Sequence, residues 1–176
     1  RPWRWLYAWS ASNASPRSDS LRPRGRATSL PVANIRPFVA YRPRPEDVER
    51  VACPPYDVVS TEEARQLAGD HGDSFLHVTR PEIDHPPGTD EHSDAVYATG
   101  RKNLLDMVER KLLVQDLEPC LYVYAQKMGQ HEQAGIVACA AVADYEADRI
   151  KKHEKTRPDK EDDRTKHILT LEAHDE

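Results

Sequence analysis

The residues best suited to chemistry crowd into positions 151–167, which hold lysines, arginines, acids and two histidines. If residues 157–168 form a helix, basic side chains at spacings of three, four and three share one face. Several donors on one face can bind a phosphate or a carboxylate. The predicted anion-binding residues are Lys152, Arg157, Lys160, Arg164 and His167. His153 and Glu154 come just before the helix and are predicted as catalytic groups, since imidazole and carboxylate serve as general bases.

A second interpretation of the same segment needs no ligand. Helices with opposite charges four residues apart are common solvated surfaces, and Asp163 with His167 has that spacing. The sequence leaves both interpretations open. The chain contains no glycine-rich phosphate loop of the G-x-x-x-x-G-K or G-x-G-x-x-G type, so the basic helix is the nearest thing to a phosphate site.

A carboxylate on a stiff loop is the next candidate. Pro54 and Pro55 hold the backbone extended ahead of Tyr56 and Asp57, and a helix start follows. Asp57 is therefore predicted as a catalytic acid–base or metal-binding group, with Pro55, Tyr56 and Arg80 supporting the loop. The alternative is that Asp57 only closes a turn, as aspartate often does.

The third candidate lies around Ser74–Thr79, a segment that is typical of a strand and is followed by Arg80 and Pro81. His77 alternates within this apolar strand, where a histidine is more often a core residue than a ligand. Arg80 at the strand end is predicted either to bind an anion or to pair with a nearby acid.

The helices that must position these residues follow from local signals. Ser60 and Glu63 form a capping-box pattern, which predicts a helix that stops at Gly69. A stripe of apolar residues at helical spacing predicts a longer helix over 96–113. Acids follow Pro158 within one turn, which predicts a last helix from that residue.

Strands are predicted between these helices. Residues 34–41 suit a short strand interrupted by a proline, and residues 120–125 and 134–142 are rich in β-branched, aromatic and small apolar residues. The last two predict a β-hairpin at about 120–142 with a loop longer than two residues. An antiparallel hairpin among three or four helices indicates an α+β, or mixed α/β, fold rather than a doubly wound sheet.

Charge divides the chain unevenly. Residues 1–33 hold six arginines and one acid and carry +5, while residues 34–176 carry −10. The first 33 residues show no periodicity and are predicted to be a disordered basic extension, foreign to the fold; a transit peptide or a nucleic-acid-binding arm are the alternatives. The acidic remainder argues against broad nucleic-acid binding through phosphate contacts.

Cysteine usage and hydropathy bear on location and partners. The three cysteines, Cys53, Cys120 and Cys139, are odd in number and widely spaced, which argues against a disulfide framework or a zinc site. They predict three buried thiols in a reducing, cytoplasmic compartment. No apolar run approaches the length of a membrane span. The expected partner is a small-molecule ligand rather than nucleic acid or membrane, and the oligomeric state does not follow from the sequence.

Four blocks of the sequence carry a family resemblance: PPYDVVS, FLHVTRPE, LYVY and IKKHEKTRPDKEDDRTKH. In these blocks the chain resembles the domain of unknown function 1015 family, over about Ile35 to Leu171. Members of that family are more than twice this long, and their second half carries an ADGHHR motif that is missing here. The resemblance implies that residues 34–176 are the N-terminal part of the family domain, truncated at the C-terminal end.

The missing motif is similar to one in kinases of the ParB and sulfiredoxin-like fold that phosphorylate free serine. By that analogy, the chain is a fragment of a nucleotide-dependent small-molecule kinase, with ATP or ADP and Mg²⁺ as cofactors. The basic face would hold the nucleotide phosphates, and Asp57 or Glu154 would position or deprotonate a hydroxyl. The alternatives are a nucleotide-binding regulatory module of ParB-like type, and an inactive fragment.

Overall fold

The computed structural model describes residues 32–69, 72–151 and 157–175. The chain forms two compact units, each made from two stretches of sequence. The hairpin unit comprises Arg1–Ala40 and Asp116–Glu154, and the helical unit comprises Tyr41–Gln115 and Lys155–Glu176. Nearly all of the predicted basic extension, residues 1–31, lies outside the described residues.

Short strands and helices alternate along the chain. In order they are β1 (Ile35–Arg36), β2 (Tyr41–Pro43), α1 (Val48–Val51), α2 (Thr61–Ala68), α3 (Leu76–Thr79), a 3-10 helix (Pro81–Asp84), α4 (Asp94–Glu109), β3 (Leu113–Gln115), β4 (Tyr122–Met128), β5 (His131–Val137), β6 (Cys139–Ala140), α5 (Val142–Glu146) and α6 (Pro158–Leu171). The strands form three two-stranded antiparallel sheets, β1 with β6, β2 with β3 and β4 with β5. The predicted mixed α+β class is confirmed, with more helices than the three or four expected.

The predicted β-hairpin is present in the hairpin unit, but its loop is shorter than expected. Strands β4 and β5 pair from Tyr122 with Val137 to Met128 with His131. Only Gly129 and Gln130 connect them, so the prediction of a loop longer than two residues is wrong. Gly129 has φ +64°, the left-handed conformation that two-residue hairpin turns require and that glycine adopts without strain.

Most of the hairpin unit is exposed. Among its described residues only Tyr122 and Asp144 are buried. The Tyr122 hydroxyl donates to Asp116 Oδ2 at 2.6 Å, and Asp144 accepts the Asn34 N–H at 2.7 Å. Polar contacts between distant segments, rather than an apolar core, therefore hold this unit together.

Two apolar clusters form the core of the helical unit. One contains Val51, Val78, Met107, Leu112, Leu113 and Leu171, and the other contains Ala64, Ala68, Leu76 and Ile83. Helix α3 contributes to both clusters, because Val78 belongs to the first and Leu76 to the second, and both side chains are fully buried. Each such side chain stabilises the fold by about 1.5–3 kcal/mol. Burial of α3 fixes the position of Arg80, which follows it directly.

The predicted strand at Ser74–Thr79 is wrong. Leu76–Thr79 form the helix α3, with the Ser74 Oγ accepting the Leu76 N–H at 3.3 Å and the Phe75 carbonyl accepting the Thr79 N–H at 3.1 Å. A short apolar run cannot be assigned by periodicity alone. All four helical residues are buried, and the short helix is stabilised by packing into both clusters rather than by local preference.

The predicted starts of α2 and α6 are confirmed, and the predicted end of α4 is wrong. Ser60 and Glu63 form the predicted capping box of α2, and α6 begins at Pro158 with Arg157 as its N-cap. Helix α4 ends at Glu109, four residues before the predicted end. Lys111 then adopts φ +60°, which turns the chain out of the helix. Leu112 and Leu113 remain buried although they are no longer helical, so the apolar stripe predicts their burial and not their conformation.

The prediction of three buried thiols is also wrong. Cys53 and Cys120 are half-buried, and Cys139 is exposed. Burial raises the pKa of the Cys53 thiol to about 11, so this side chain stays protonated and poorly nucleophilic at neutral pH. None of the helices within the described ranges is long and apolar enough to cross a membrane.

Candidate functional site

Arg80 organises the loop that precedes α2. Its Nη1 donates to the carbonyl oxygens of Tyr56 at 2.7 Å and Val59 at 2.9 Å, and its Nη2 donates to Thr61 Oγ1 at 2.8 Å. Its Nε donates to the buried carboxylate of Glu82 at 2.6 Å. Of the two roles predicted for Arg80, pairing with a nearby acid is the one that its contacts show.

Tyr56 connects this loop to α6. Its carbonyl accepts the hydrogen bond from Arg80, and its ring lies against the guanidinium of Arg164, 4.3 Å from ring centroid to Cζ. That distance is typical of a cation–π contact. The proline-stiffened loop, the residue that follows α3 and helix α6, which lie far apart in the sequence, therefore meet at one place. We call Tyr56, Arg80 and Arg164 the Tyr56 junction.

Arg164 and His167 are both occupied by intramolecular contacts. Arg164 Nη2 donates to Asp175 at 2.6 Å, and its Nη1 donates to His167 Nδ1 at 2.8 Å. His167 Nε2–H in turn donates to the Val78 carbonyl at 3.1 Å, so the ring is neutral and protonated on Nε2. Burial lowers the pKa of His167, and the Arg164 charge lowers it further, against the opposing effect of Asp175.

Other predicted residues of this region face solvent. Asp57 is exposed on the loop beside Tyr56 and has no hydrogen bond or ion pair among the described residues, and Pro55 is exposed as well. Arg157 donates from Nη2 to Asp159 at 2.6 Å, a pair that is largely solvent-exposed, and Lys160 is exposed. These side chains remain accessible to a ligand, whereas Arg164 and His167 are available only through rearrangement.

The structure does not test three of the predicted site residues. Lys152, His153 and Glu154 lie outside the described residues. Their predicted roles in anion binding and catalysis stay predictions. His77, the lone histidine of the third candidate, is buried in α3 and contacts Asp84 instead of the Tyr56 junction.

The sequence missed a polar network that fastens α6 to α4. The Tyr97 hydroxyl donates to the Asp163 carboxylate, which also accepts from His92 Nδ1 at 2.8 Å. Lys166 Nζ pairs with Asp94 at 2.7 Å and lies 4.8 Å from the centroid of the Tyr97 ring. Burial and the Asp163 carboxylate raise the pKa of Tyr97. Tyr97 lies on the apolar stripe of α4. That pattern predicts that the ring is buried, but it does not predict which residue accepts the hydrogen bond from the hydroxyl.

The first turn of α6 offers donors for phosphate oxygens. Arg157 and Lys160 are exposed at the start of this 14-residue helix. The backbone contributes little there, because Pro158 has no N–H and the Lys160 and Glu161 N–H groups donate to the Arg157 carbonyl at 3.1 and 3.0 Å. Basic side chains are common phosphate ligands, although Asp159 and Glu161 reduce the local positive charge. Within the parts of the chain that the structure describes, no three histidine, cysteine or acidic side chains converge as metal ligands.

Comparison with known proteins identifies the family. The model of the family described as "Protein of unknown function (DUF1015)" matches residues 35–176, which is most of the chain. Searches of curated proteins and of solved structures gave no significant match. The match agrees with the four sequence blocks on which the resemblance depends and begins where the basic extension ends. The chain belongs to the DUF1015 family of proteins of unknown function.

Proposed function

We propose that this chain carries the phosphate-binding part of a nucleotide-dependent small-molecule kinase. The observation that supports it is the Tyr56 junction, which joins a loop bearing an exposed carboxylate to a basic helix. Asp57 directly follows Tyr56, and Arg157 and Lys160 precede Arg164 on α6 by two turns and about one turn. Phosphoryl transfer depends mainly on such positioning and on charge stabilisation.

Some of these residues position the loop and the helix, and others would contact the nucleotide and the substrate. Arg80, Arg164 and His167 are fixed by internal contacts and keep the loop and helix in place. The exposed side chains of Arg157 and Lys160 would bind the nucleotide phosphates. Asp57 would accept the proton of the substrate hydroxyl as its oxygen bonds to the terminal phosphorus and the bond to the nucleoside phosphate breaks.

Thermal unfolding of the chain with ATP or ADP, with and without Mg²⁺, tests the binding step. A ligand at 100 times its dissociation constant stabilises a protein by about 2.7 kcal/mol, which a melting curve resolves. The Arg157→Ala, Lys160→Ala double variant should lose this shift. The matched control is Lys102→Ala with Lys127→Ala, because these exposed lysines lie on other elements and remove the same charge.

Turnover distinguishes the remaining alternatives. Formation of phosphoserine from serine, the probe hydroxyl compound, by a full-length family member, together with a shift lost only in the α6 variant, would support the kinase. Nucleotide binding without turnover of serine or of other small hydroxyl compounds by that longer protein would favour the regulatory module of ParB-like type. Absence of any nucleotide shift would contradict both proposals and favour the solvated-helix interpretation of α6.

A further inference from the structure

A cavity of about 680 Å³ lies in the helical unit and shares no residue with the Tyr56 junction. Its walls come from α2, the 3-10 helix and α4, and they include Arg65, Asp84, Asn103 and Arg110. Small-molecule sites in proteins commonly have volumes of about 300–1,000 Å³ and combine an apolar surface with a few fixed polar groups. The side chains of Ala68 and Ile83 supply the apolar part here.

The carboxylate of Asp84 is held rigidly at the wall of this cavity. Its Oδ1 accepts from His77 Nδ1 at 2.7 Å, and its Oδ2 accepts from Asn103 Nδ2 at 2.7 Å. Asn103 Nδ2 also lies 2.8 Å from the His77 carbonyl, so the three side chains form one network. The Asp84 side chain nevertheless remains 29% exposed. Burial alone would raise the pKa of Asp84, but the hydrogen bonds from His77 and Asn103 outweigh it and keep the carboxylate ionised.

The network of His77, Asp84 and Asn103 lowers the stability of the folded state. His77 is buried, and its Nε2 has no hydrogen-bond partner in the described part of the chain. A buried polar atom without a partner destabilises the folded state, and an apolar side chain in α3 would avoid that cost. Polar networks that cost stability and line a cavity are typical of binding sites.

Arg65 supplies a positive charge on the same wall. Its Nε donates to the Ile83 carbonyl at 3.2 Å, and its Nη2 donates to the His85 carbonyl at 3.2 Å. Arg65 is therefore hydrogen-bonded to the residues on either side of Asp84. Among the described residues, its charged partner is the exposed Glu62, at 3.5 Å. Arg65 and Asp84 form no ion pair with each other. The Arg65 guanidinium and the Asp84 carboxylate are therefore both held in place near residues 83–85 without forming an ion pair with each other.

We propose that this cavity binds a small zwitterion, whose ammonium group pairs with Asp84 and whose carboxylate pairs with Arg65. Asp106 and Arg110, also in the lining, neutralise each other at 2.7 Å and add no net charge. A polyanion such as a nucleotide gains no net attraction from this lining, because its two arginines are balanced by two aspartates, whereas a free amino acid presents one charge of each sign at short separation. The apolar side of the cavity at Ala68 and Ile83 suits a short side chain. The inference goes beyond the proposed kinase activity and does not rest on nucleotide binding.

Isothermal titration of the chain with glycine, L-alanine and L-serine tests this inference, with acetate and methylamine as probes that carry only one of the two charges. Saturable binding of at least one amino acid is expected, and neither single-charge probe should bind with similar affinity. Asp84→Asn and Arg65→Gln should each weaken binding at least tenfold. Glu109→Gln and Lys102→Gln are the matched controls, since they remove the same charges from exposed positions of α4 and should leave affinity unchanged.

Two results would overturn the inference. One is the absence of saturable binding by all three amino acids up to about 20 mM, far above a typical small-ligand dissociation constant. The other is unchanged affinity in the Arg65→Gln variant, which decides the question even if Asp84→Asn does not fold, because the half-buried Arg65 makes no hydrogen bond to His77, Asp84 or Asn103. No nucleotide is present in this assay, so a lack of amino-acid binding would not contradict the kinase proposal. Equally, a lack of nucleotide binding would not contradict the amino-acid site.

Discussion

The hairpin unit and the helical unit are built on different principles. The helical unit has two apolar clusters, and its charged side chains are tied into networks around Arg80, Asp84 and Asp163. The hairpin unit exposes nearly every described residue of β4 and β5, including Val123, Tyr124 and Ile136. A two-stranded hairpin by itself is marginally stable in water.

The difference separates local from non-local causes of structure. The hairpin follows from β-prone residues and a glycine in the turn, so its conformation is encoded locally although its burial is small. Helix α3 lacks such local encoding and depends on its surroundings. Substitutions in the helical unit should therefore cost global stability, and those in the hairpin should act locally.

The largest effect is expected from Arg80→Met. This substitution removes four hydrogen bonds and leaves Glu82 as a buried carboxylate without its ion partner. Breaking a buried pair from one side typically lowers the free energy of unfolding by about 3–5 kcal/mol. Urea unfolding followed by circular dichroism would measure it. Arg157→Met, which breaks an exposed pair, is the control and should cost less than about 1 kcal/mol; equal losses in the two variants would contradict the assigned role of Arg80.

Leu76→Ala should have the next largest effect. Leu76 is fully buried, and its truncation should lower the free energy of unfolding by about 2–5 kcal/mol through lost burial and a cavity. Leu117→Ala provides the comparison from the hairpin unit, where the side chain is 99% exposed and the expected change is within about 0.5 kcal/mol. Similar unfolding midpoints for both variants would show that the contrast between the units is wrong.

Gly129→Ala tests whether the hairpin responds locally. Alanine at φ +64° is strained by about 1–2 kcal/mol, although no neighbouring atom would clash with its Cβ. Amide hydrogen exchange in β4 and β5 should accelerate while the urea midpoint of the helical unit stays constant. Gly135→Ala, in β5 with ordinary φ and open space around it, is the control with the smaller expected effect. A change in the urea midpoint of the helical unit in Gly129→Ala would show that the substitution does not act locally in the hairpin.

The smallest effect is expected from the pH dependence of His167. Because burial lowers its pKa in the folded state, the native protein binds fewer protons than the unfolded chain as pH falls below the ordinary value of 6.5. Stability should therefore decrease as pH falls from 7 through 6.5 toward the folded pKa. Comparing urea unfolding at pH 7.5 and 5.5 should show a weaker pH dependence in His167→Gln than in the unaltered chain. His131→Gln, in the exposed hairpin, should retain the full dependence; the same loss there would rule out His167 as the source.

The candidate site was predictable in part. Asp57, Arg157, Lys160, Arg164 and His167 stand out by residue type and spacing. Helix α6, which carries Lys160, Arg164 and His167 after its N-cap Arg157, begins at Pro158 as expected. The spacing did not show that Arg164 and His167 would be engaged by Asp175 and Val78. Nor did it pair Tyr97 with Asp163, because an apolar stripe describes which side of a helix is buried and says nothing of partners 66 residues away.

By itself the sequence determined the features that depend on neighbours within a few residues: the capping box at Ser60, the start of α6, the hairpin and the family. Only the tertiary structure decided that Leu76–Thr79 are helical and that α4 ends at Glu109, before the buried Leu112 and Leu113, because packing energy there exceeds weak local preferences. It also decided which charges meet. Arg80 reaches Tyr56, and Arg65 lies beside Asp84 without pairing, because the fold brings distant segments together at distances that no spacing in the chain specifies.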